Sequence, residues 1–400
     1  MRFRIGLNYW PASTAMSWWK RFDPAEVASD FGRIRDAGFD SIRVFLLWED
    51  FQPTPDLVSA RALEDLQVVA DTASRHELSL IVTLFTGHMS GANWIPHWAL
   101  RSGGSAQRFR VVSGGKVVQA ELLNWYSDET VLEAQVLQAR DVASVLHAHP
   151  ALWAYDLGNE NSNCVVPPNR ASALRWLKAI SGAIRGVDRV HPITMGLHME
   201  DLEEDRQLGP SEAAQVCDFL CMHGYPIYAD WATGPTDELL LPFLGCITRW
   251  LGDRDVLFEE FGAATLPKVR EGIELGPFSL LEEEVAARYT ERALQALRRF
   301  GFSGALLWCY SDYREALWKD PPLDLAAHER FFGLWRNDGS AKPAVQAVTE
   351  LAGKTTLATF GEDPAWIDIP KSDFYVSPRN HLRRLYQKFR EHLPAEELSN

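Results

Sequence analysis

The sequence has little cysteine and no block of basic residues. Its five cysteines (Cys164, Cys217, Cys221, Cys246 and Cys309) are scattered and odd in number. That argues against a disulfide framework, and no C-x2-C or histidine-rich spacing suggests a metal scaffold in its place. Cys217 and Cys221 bracket a strand-like CDFLC run and read as buried thiols. The formal net charge is −14 and lysine and arginine do not cluster. A nucleic-acid or anionic-membrane partner needs such clusters, so neither is expected. No apolar run reaches the ~18 residues of a transmembrane helix. The first residues, MRFRIGLNYWPA, enter a strand at once without the regions of a signal peptide, so the expected location is cytoplasmic. No G-x-G-x-x-G follows the first strand, which removes a dinucleotide-binding fold.

Short apolar or β-branched runs recur along the chain, each followed by a polar segment and a helical pattern. That alternation marks βα units around a parallel sheet. Eight strands are expected: Phe3–Asn8, Ser41–Leu47, Ser79–Phe85, Leu152–Leu157, Ile193–Leu197, Phe219–Met222, Val256–Phe258 and Ala305–Trp308. Asp23-Pro24 caps and starts a helix that ends near Gly38. Further helices are expected near 60–75, 129–147, 169–185, 237–252, 281–300 and 342–352, with a short one around 211–216. The fold class that follows is α/β, a (β/α)8 TIM barrel over residues 1–350. Residues 351–400, with the helical HLRRLYQKFREHL stretch, form an extension packed on it. Two connections exceed ordinary loop length, Thr86 to Asp128 after strand 3 and Ser311 to Asp338 after strand 8. Both leave the face where barrels build active sites.

Fifteen tryptophans, with 10 tyrosines and 20 phenylalanines, are an unusual number, and many are expected in the core. Several follow strands, where aromatic faces could stack on the C–H patches of sugar rings. Strand 4 ends in AYDLGNEN and strand 7 in VLFEEFGA. Acids at these two ends lie across one barrel mouth, and glycoside hydrolysis needs such a pair: one carboxyl protonates the leaving oxygen and the other attacks the anomeric carbon. The strand 7 acid is either Glu259 or Glu260. Side chains alternate along a strand, so only one of the two should enter the mouth, the other facing outward or a neighbouring strand.

Several motifs appear in order. Arg43 lies in SIRVF, His88 follows LFTG, and Asn159-Glu160 ends strand 4. His223 and Tyr225 lie in MHGYP, Glu260 in EEFGA and Trp308 in LLWCY. Together, over roughly residues 5–345, they resemble glycoside hydrolase family 5, within the clan of barrels that carry acid/base and nucleophile on strands 4 and 7. The resemblance implies Glu160 as acid/base, Glu260 as nucleophile, Arg43 as the nucleophile's holder and Asn159 as a partner of the sugar 2-hydroxyl. It further implies retention of configuration and no metal or cofactor. Glu160, beside another carboxylate, is expected to have a raised pKa. Taken singly, His88 and His223 read equally as satisfied core histidines, and Arg43 as a structural ion pair.

The partner expected is an oligosaccharide. Trp10, Trp48 and His198, with Asn8, Tyr9, Glu49, Glu200 and Tyr228, are candidates for the reacting subsite. Trp94, Trp98 and Trp125 are candidates for stacking more distant sugars. The start of the chain, GLNYWPA through LLWEDFQP, looks nearest to β-mannosidases and β-mannanases, and an exo-acting β-mannosidase is the expectation. The alternatives are an endo-β-1,4-mannanase, a β-glucanase or β-glucosidase, a metal-dependent barrel hydrolase, and a glycan-binding barrel without catalysis. The oligomeric state is not legible.

Overall fold

The apolar runs become eight parallel strands of one sheet: β1 (Arg4–Asn8), β2 (Ser41–Leu47), β3 (Ser79–Thr86), β4 (Leu152–Asn159), β5 (Ile193–Gly196), β6 (Leu220–His223), β7 (Val256–Phe261) and β8 (Gly304–Leu307). This computed structural model describes residues 3–103, 107–267, 276–352 and 364–393. The strand order β5-β4-β3-β2-β1-β8-β7-β6 leaves β5 and β6 at the two edges. Those edges meet through a parallel bridge between His198 and His223, with the Asp218 amide donating to the Ile193 carbonyl at 2.8 Å. The sheet therefore closes into a (β/α)8 barrel. Strands β4 and β7 run past their apolar stretches because the polar residues at their ends still pair with neighbours.

Helices follow each strand: α1 (Pro24–Asp36), α2 (Ala60–Arg75), α3 (Glu129–Leu146), α4 (Arg170–Arg185), α5 (Pro210–Ala213), α6 (Leu240–Gly252), α7 (Glu283–Arg299) and α8 (Pro343–Ala352). The Asp23 side chain accepts from the Ala25 amide, capping α1 as its Asp-Pro start implies. Beyond the barrel, α9 (Pro378–His392) buries Leu382, Leu385, Tyr386 and Phe389, and Phe389 packs on Phe243 of α6. Residues 353–363 and 394–400 of the expected extension, and 104–106 in the strand 3 connection, lie outside the described residues. No described helix is long and apolar enough to cross a membrane. The five cysteines are free thiols.

The barrel interior is layered by strand periodicity. Ile81, Ala154, Cys221, Leu257 and Leu306 form a separate apolar cluster inside it. Two residues further along each strand stand Thr83, Asp156, His223, Glu259 and Trp308. Alternation points these at the same interior, one layer nearer the mouth, so an apolar floor carries a polar layer. One-residue irregularities then break the alternation at three strand ends. Between Phe45 and Leu47 of β2, β3 spends three residues instead of two. Strand β4 does the same between Asp156 and Asn159, and β7 between Phe258 and Phe261. Such bulges re-aim side chains and are frequent beside active sites. These three set the directions of the residues that follow Phe85, of Glu160 and of Glu260.

Of the two strand 7 acids, Glu260 alone lines the cavity at the mouth, while Glu259 lies beneath it against His223 of the neighbouring β6. Glu259 continues the alternation set by Leu257, and the bulge turns Glu260 inward as well; both are buried. Close packing at the polar layer also fixes a glycine. A Cβ on Gly196 would lie 2.7 Å from the Gly158 carbonyl oxygen and 2.9 Å from Nη2 of Arg43. Gly196→Ala is expected to destabilise the protein by about 1–3 kcal/mol. Denaturant unfolding checks this, and an unchanged midpoint would contradict the packing described.

Candidate active site

Arg43, fully buried on β2, ties the strand ends together. Its Nη1 donates to Oε1 of Glu260 at 2.6 Å and to Oδ1 of Asn8 at 3.3 Å. Its Nη2 donates to Asp156 at 2.7 Å and to Oδ1 of Asn159 at 3.0 Å, and its Nε donates to Thr83 at 2.8 Å. Glu259 is in ion contact with Nε at 3.4 Å. A planar guanidinium with five donors suits this fan of acceptors, where a lysine would serve one direction. Burial disfavours its charge, yet Glu259, Asp156 and Glu260 together raise its pKa well above the usual value.

Glu160 stands at the end of β4 with φ 47° and ψ 46°, a left-handed conformation that non-glycine residues visit sparingly. The strain costs about 1–2 kcal/mol and directs the carboxyl into the mouth. Its Oε1 is 3.0 Å from Nδ1 of His223, and its Oε2 accepts from Asn163 at 2.9 Å. His88 and His198 each approach Oε2 to 3.9 Å. His88 is itself fixed through Nδ1 to Asn93 at 2.8 Å, and burial lowers its pKa.

Burial alone would raise the Glu160 carboxyl, but His198, His223 and His88 together bring it well below the ordinary range. The expected raised pKa is thus corrected, because three imidazoles outweigh the nearby carboxylate. His223 shifts the other way. Burial opposes its charge, and Glu260, Glu160 and Glu259 overcome that to lift its pKa to about 10.

Glu260 accepts from Arg43 at one oxygen and from the Tyr225 hydroxyl at the other, 2.9 Å away. Burial and the Glu160 charge raise its pKa, against His223, Arg43 and Tyr225. With a donor on each oxygen it acts as acceptor only, the form of a nucleophile. Oxygen atoms of Glu160 and Glu260 come within 4.8 Å of each other, with Nδ1 of His223 3.0 Å from the first and 3.6 Å from the second. These three are the one such metal-ligand-like group among the described residues. Because Arg43 and Tyr225 already occupy Glu260, the set fits an acid–base pair better than a cation.

A cavity of about 490 Å³ opens above this pair, within the range of small-molecule sites. His88, Asn159, Glu160, His198, His223, Tyr225, Glu260 and Trp308 line it, which brings most of the sequence candidates together. Arg43 lies beneath. Trp10, Trp48 and Trp94 do not line it, nor do Asn8, Tyr9, Glu49, Trp98 and Trp125. Trp10 is fully buried and stacks on Phe45 with ring centres 5.3 Å apart. Trp48 is fully buried, bonded to Gln52 and edge-on to Trp98 and Trp125. Trp94 is buried in a small sheet made from the strand 3 connection. Trp98 and Trp125 pack on Trp48 because the long connection needs a core of its own.

Sequence reasoning missed Arg108 and Phe109, on the same connection, and His328 and Glu329 after β8, all lining the cavity. Glu329 accepts from Nε1 of Trp308 at 3.3 Å and from the Tyr228 hydroxyl at 3.2 Å, and that hydroxyl also meets Nε2 of His328 at 2.9 Å. Arg108 pairs with Glu200 on the opposite wall. No short motif marks these residues, although a His-Glu pair in an over-long connection at the catalytic face was a usable signal.

Together the closed barrel and the paired carboxylates at the ends of β4 and β7 define a clan of glycoside hydrolase barrels. No family model and no curated sequence matches the chain. Solved structures do. A variant of the GH5_18 protein of Streptomyces cattleya, in complex with Manβ1-4GlcNAc, superposes with a TM-score of 0.73 at 23% identity, over 90% of this chain and 83% of that one. The exo-β-1,4-mannosidase Op5Man5 of Opitutaceae bacterium strain TAV5 gives 0.70 at 27% identity, over 88% of this chain and 59% of that one. The endo-β-1,4-mannanase of Thermotoga petrophila gives 0.59 at 15% identity, over 88% and 77%. The chain is similar in structure to glycoside hydrolase family 5, on its mannosidase-like side.

Removing Arg43 leaves Asp156, Glu259 and Glu260 buried without their common counter-charge. Arg43→Ala is expected to lower unfolding free energy by about 3–5 kcal/mol, read from chemical denaturation; a loss under 1 kcal/mol would contradict that role.

Proposed function

We propose that the protein is a retaining glycoside hydrolase that releases terminal β-linked mannose from short oligosaccharides. The observation that carries this reading is the Glu160–Glu260 pair, whose oxygens lie within 4.8 Å with His223 between them. Retaining enzymes hold their carboxyl groups about 5–5.5 Å apart, and inverting ones about 6.5–9.5 Å to admit a water.

In the first step Glu260, aimed by Arg43 and Tyr225, attacks the anomeric carbon as the glycosidic C–O bond breaks. The leaving oxygen keeps the bonding electrons and takes a proton from Glu160. Glu160 receives that proton from Nδ1 of His223, 3.0 Å away. A glycosyl ester on Glu260 results. Its formation removes the Glu260 charge, and the ionised Glu160 then takes a proton from water as the water attacks the anomeric carbon and displaces Glu260. Asn159, held through Oδ1 by Arg43 and donating Nδ2 to the His88 carbonyl, is set to meet the sugar 2-hydroxyl.

Mannose and exo action rest on lesser support. Two of the three structural neighbours above act on β-mannosidic bonds by name, one exo and one endo. On this chain, Glu329 and His328 present polar atoms beside Trp308, suited to the hydroxyls of a terminal sugar. Arg108, Phe109 and Glu200 stand across the cavity, where the rest of the glycan would lie.

Hydrolysis of aryl β-mannoside, β-glucoside and β-galactoside is the direct test, beside polymeric mannan. Aryl β-mannoside is expected to turn over fastest. Random internal cleavage of mannan, with no release of single sugars from oligomers, would sink the exo reading. Glu160→Ala is expected to lose about 10²–10⁴-fold in rate on poor leaving groups and far less on activated aryl leaving groups, which need no proton. An equal loss on both would remove Glu160 from the acid role.

A further inference from the structure

Glu259 is the buried titratable group that this mechanism leaves unused. It is fully buried in the polar layer of the barrel, and neither of its oxygens accepts a hydrogen bond among the described residues. A carboxylate in that state is expensive unless a charge compensates it. Two cations touch it: Nε of Arg43 at 3.4 Å and Nε2 of His223 at 3.5 Å. Arg43 already has Asp156 and Glu260. For His223, Glu259 is the carboxylate at Nε2 among the described residues. Its Nδ1 faces Glu160 at 3.0 Å and Glu260 at 3.6 Å, while its Nε2 faces Glu259. A ring with a carboxylate at each nitrogen matches its surroundings only when both nitrogens carry hydrogen.

We infer that Glu259 is a positioning residue that keeps His223 an imidazolium, so that its Nδ1 proton is stored for delivery to Glu160. The destination of that proton rests on the glycosidase reading; the charge on the ring does not. In the transfer the Nδ1–H bond breaks and an O–H bond forms on Glu160, leaving a neutral imidazole and a carboxylic acid. The acid gives the proton to the leaving oxygen. The proton that Glu160 later takes from water returns to Nδ1, and the pair is restored. Charged or titratable groups surround His223 from several elements: Arg43 on β2, Glu160 on β4, His198 beyond β5, and Glu259 and Glu260 on β7. Carboxylates prevail among them, and the raised pKa of His223 agrees with the geometry.

Two measurements test this. In the unsubstituted protein, the His223 ring followed by nitrogen NMR should be doubly protonated at pH 7. A neutral ring there overturns the inference, whatever the protein hydrolyses. Glu259→Gln keeps the size and removes the charge. Loss of a negative charge lowers the proton affinity of the His223–Glu160 pair, so the alkaline limb of kcat/KM should move down by about 1–3 pH units. A purely structural role would lower the rate at every pH and leave that limb in place, which also overturns the inference. If Glu259→Gln fails to fold, the ring titration of the unsubstituted protein still decides.

Discussion

The burial of one guanidinium governs the rest of this structure. Arg43 is out of reach of water, and an unpaired cation there would cost several kcal/mol or more. The barrel answers with Asn8, Thr83, Asp156, Asn159, Glu259 and Glu260, from strands that are far apart in sequence. Fold and site are therefore one arrangement at this level. The side chains that surround Arg43 join β1, β3, β4 and β7 around β2, and two of them, Glu260 and Asn159, also line the cavity at the mouth. A change that loosens Arg43 reaches stability and chemistry together.

The second constraint is the distribution of few protons among many acids. Asp156, Glu160, Glu259 and Glu260 surround two cations, Arg43 and His223. Burial and the Glu259 charge, against Arg43, raise the pKa of Asp156 to about 6, while Arg43 and His223 outweigh burial and lower that of Glu259. Such a cluster titrates as a unit. Its arrangement sets the His223 imidazole between Glu160 and Glu260, within hydrogen-bond distance of Glu160. That differs from a single acid tuned upward by burial, and the difference comes from three histidines converging on one carboxyl.

Much of this was legible in the sequence, and the reasons for the rest are specific. The strands were readable because an interior of a parallel barrel demands apolar runs, and Ser41–Leu47 forms at its expected bounds. The carboxylate pair at the mouth was readable because motifs such as NEN and EEFGA end those runs. Of the two directions open to Glu259, the outward one fails because Leu257 already points inward, and the bulge that adds Glu260 to the same side has no sequence mark. Trp10, Trp48 and Trp94 were misplaced because an aromatic after a strand can pack under a loop as readily as line a cleft. Glu329 and Arg108 escaped because their positions depend on long connections, whose paths are set by packing and not by periodicity.

The central claim is that Glu260 forms a covalent bond with the sugar. Incubation with a 2-deoxy-2-fluoro mannosyl fluoride, which slows release of the intermediate more than its formation, followed by proteolysis and mass spectrometry, tests it most directly. The account predicts one added fluoromannosyl group on the peptide containing Glu259 and Glu260, with fragmentation assigning it to Glu260. A label on Glu259 would exchange the roles of the two acids. No label from an active enzyme, with the product of inverted configuration, would contradict the account.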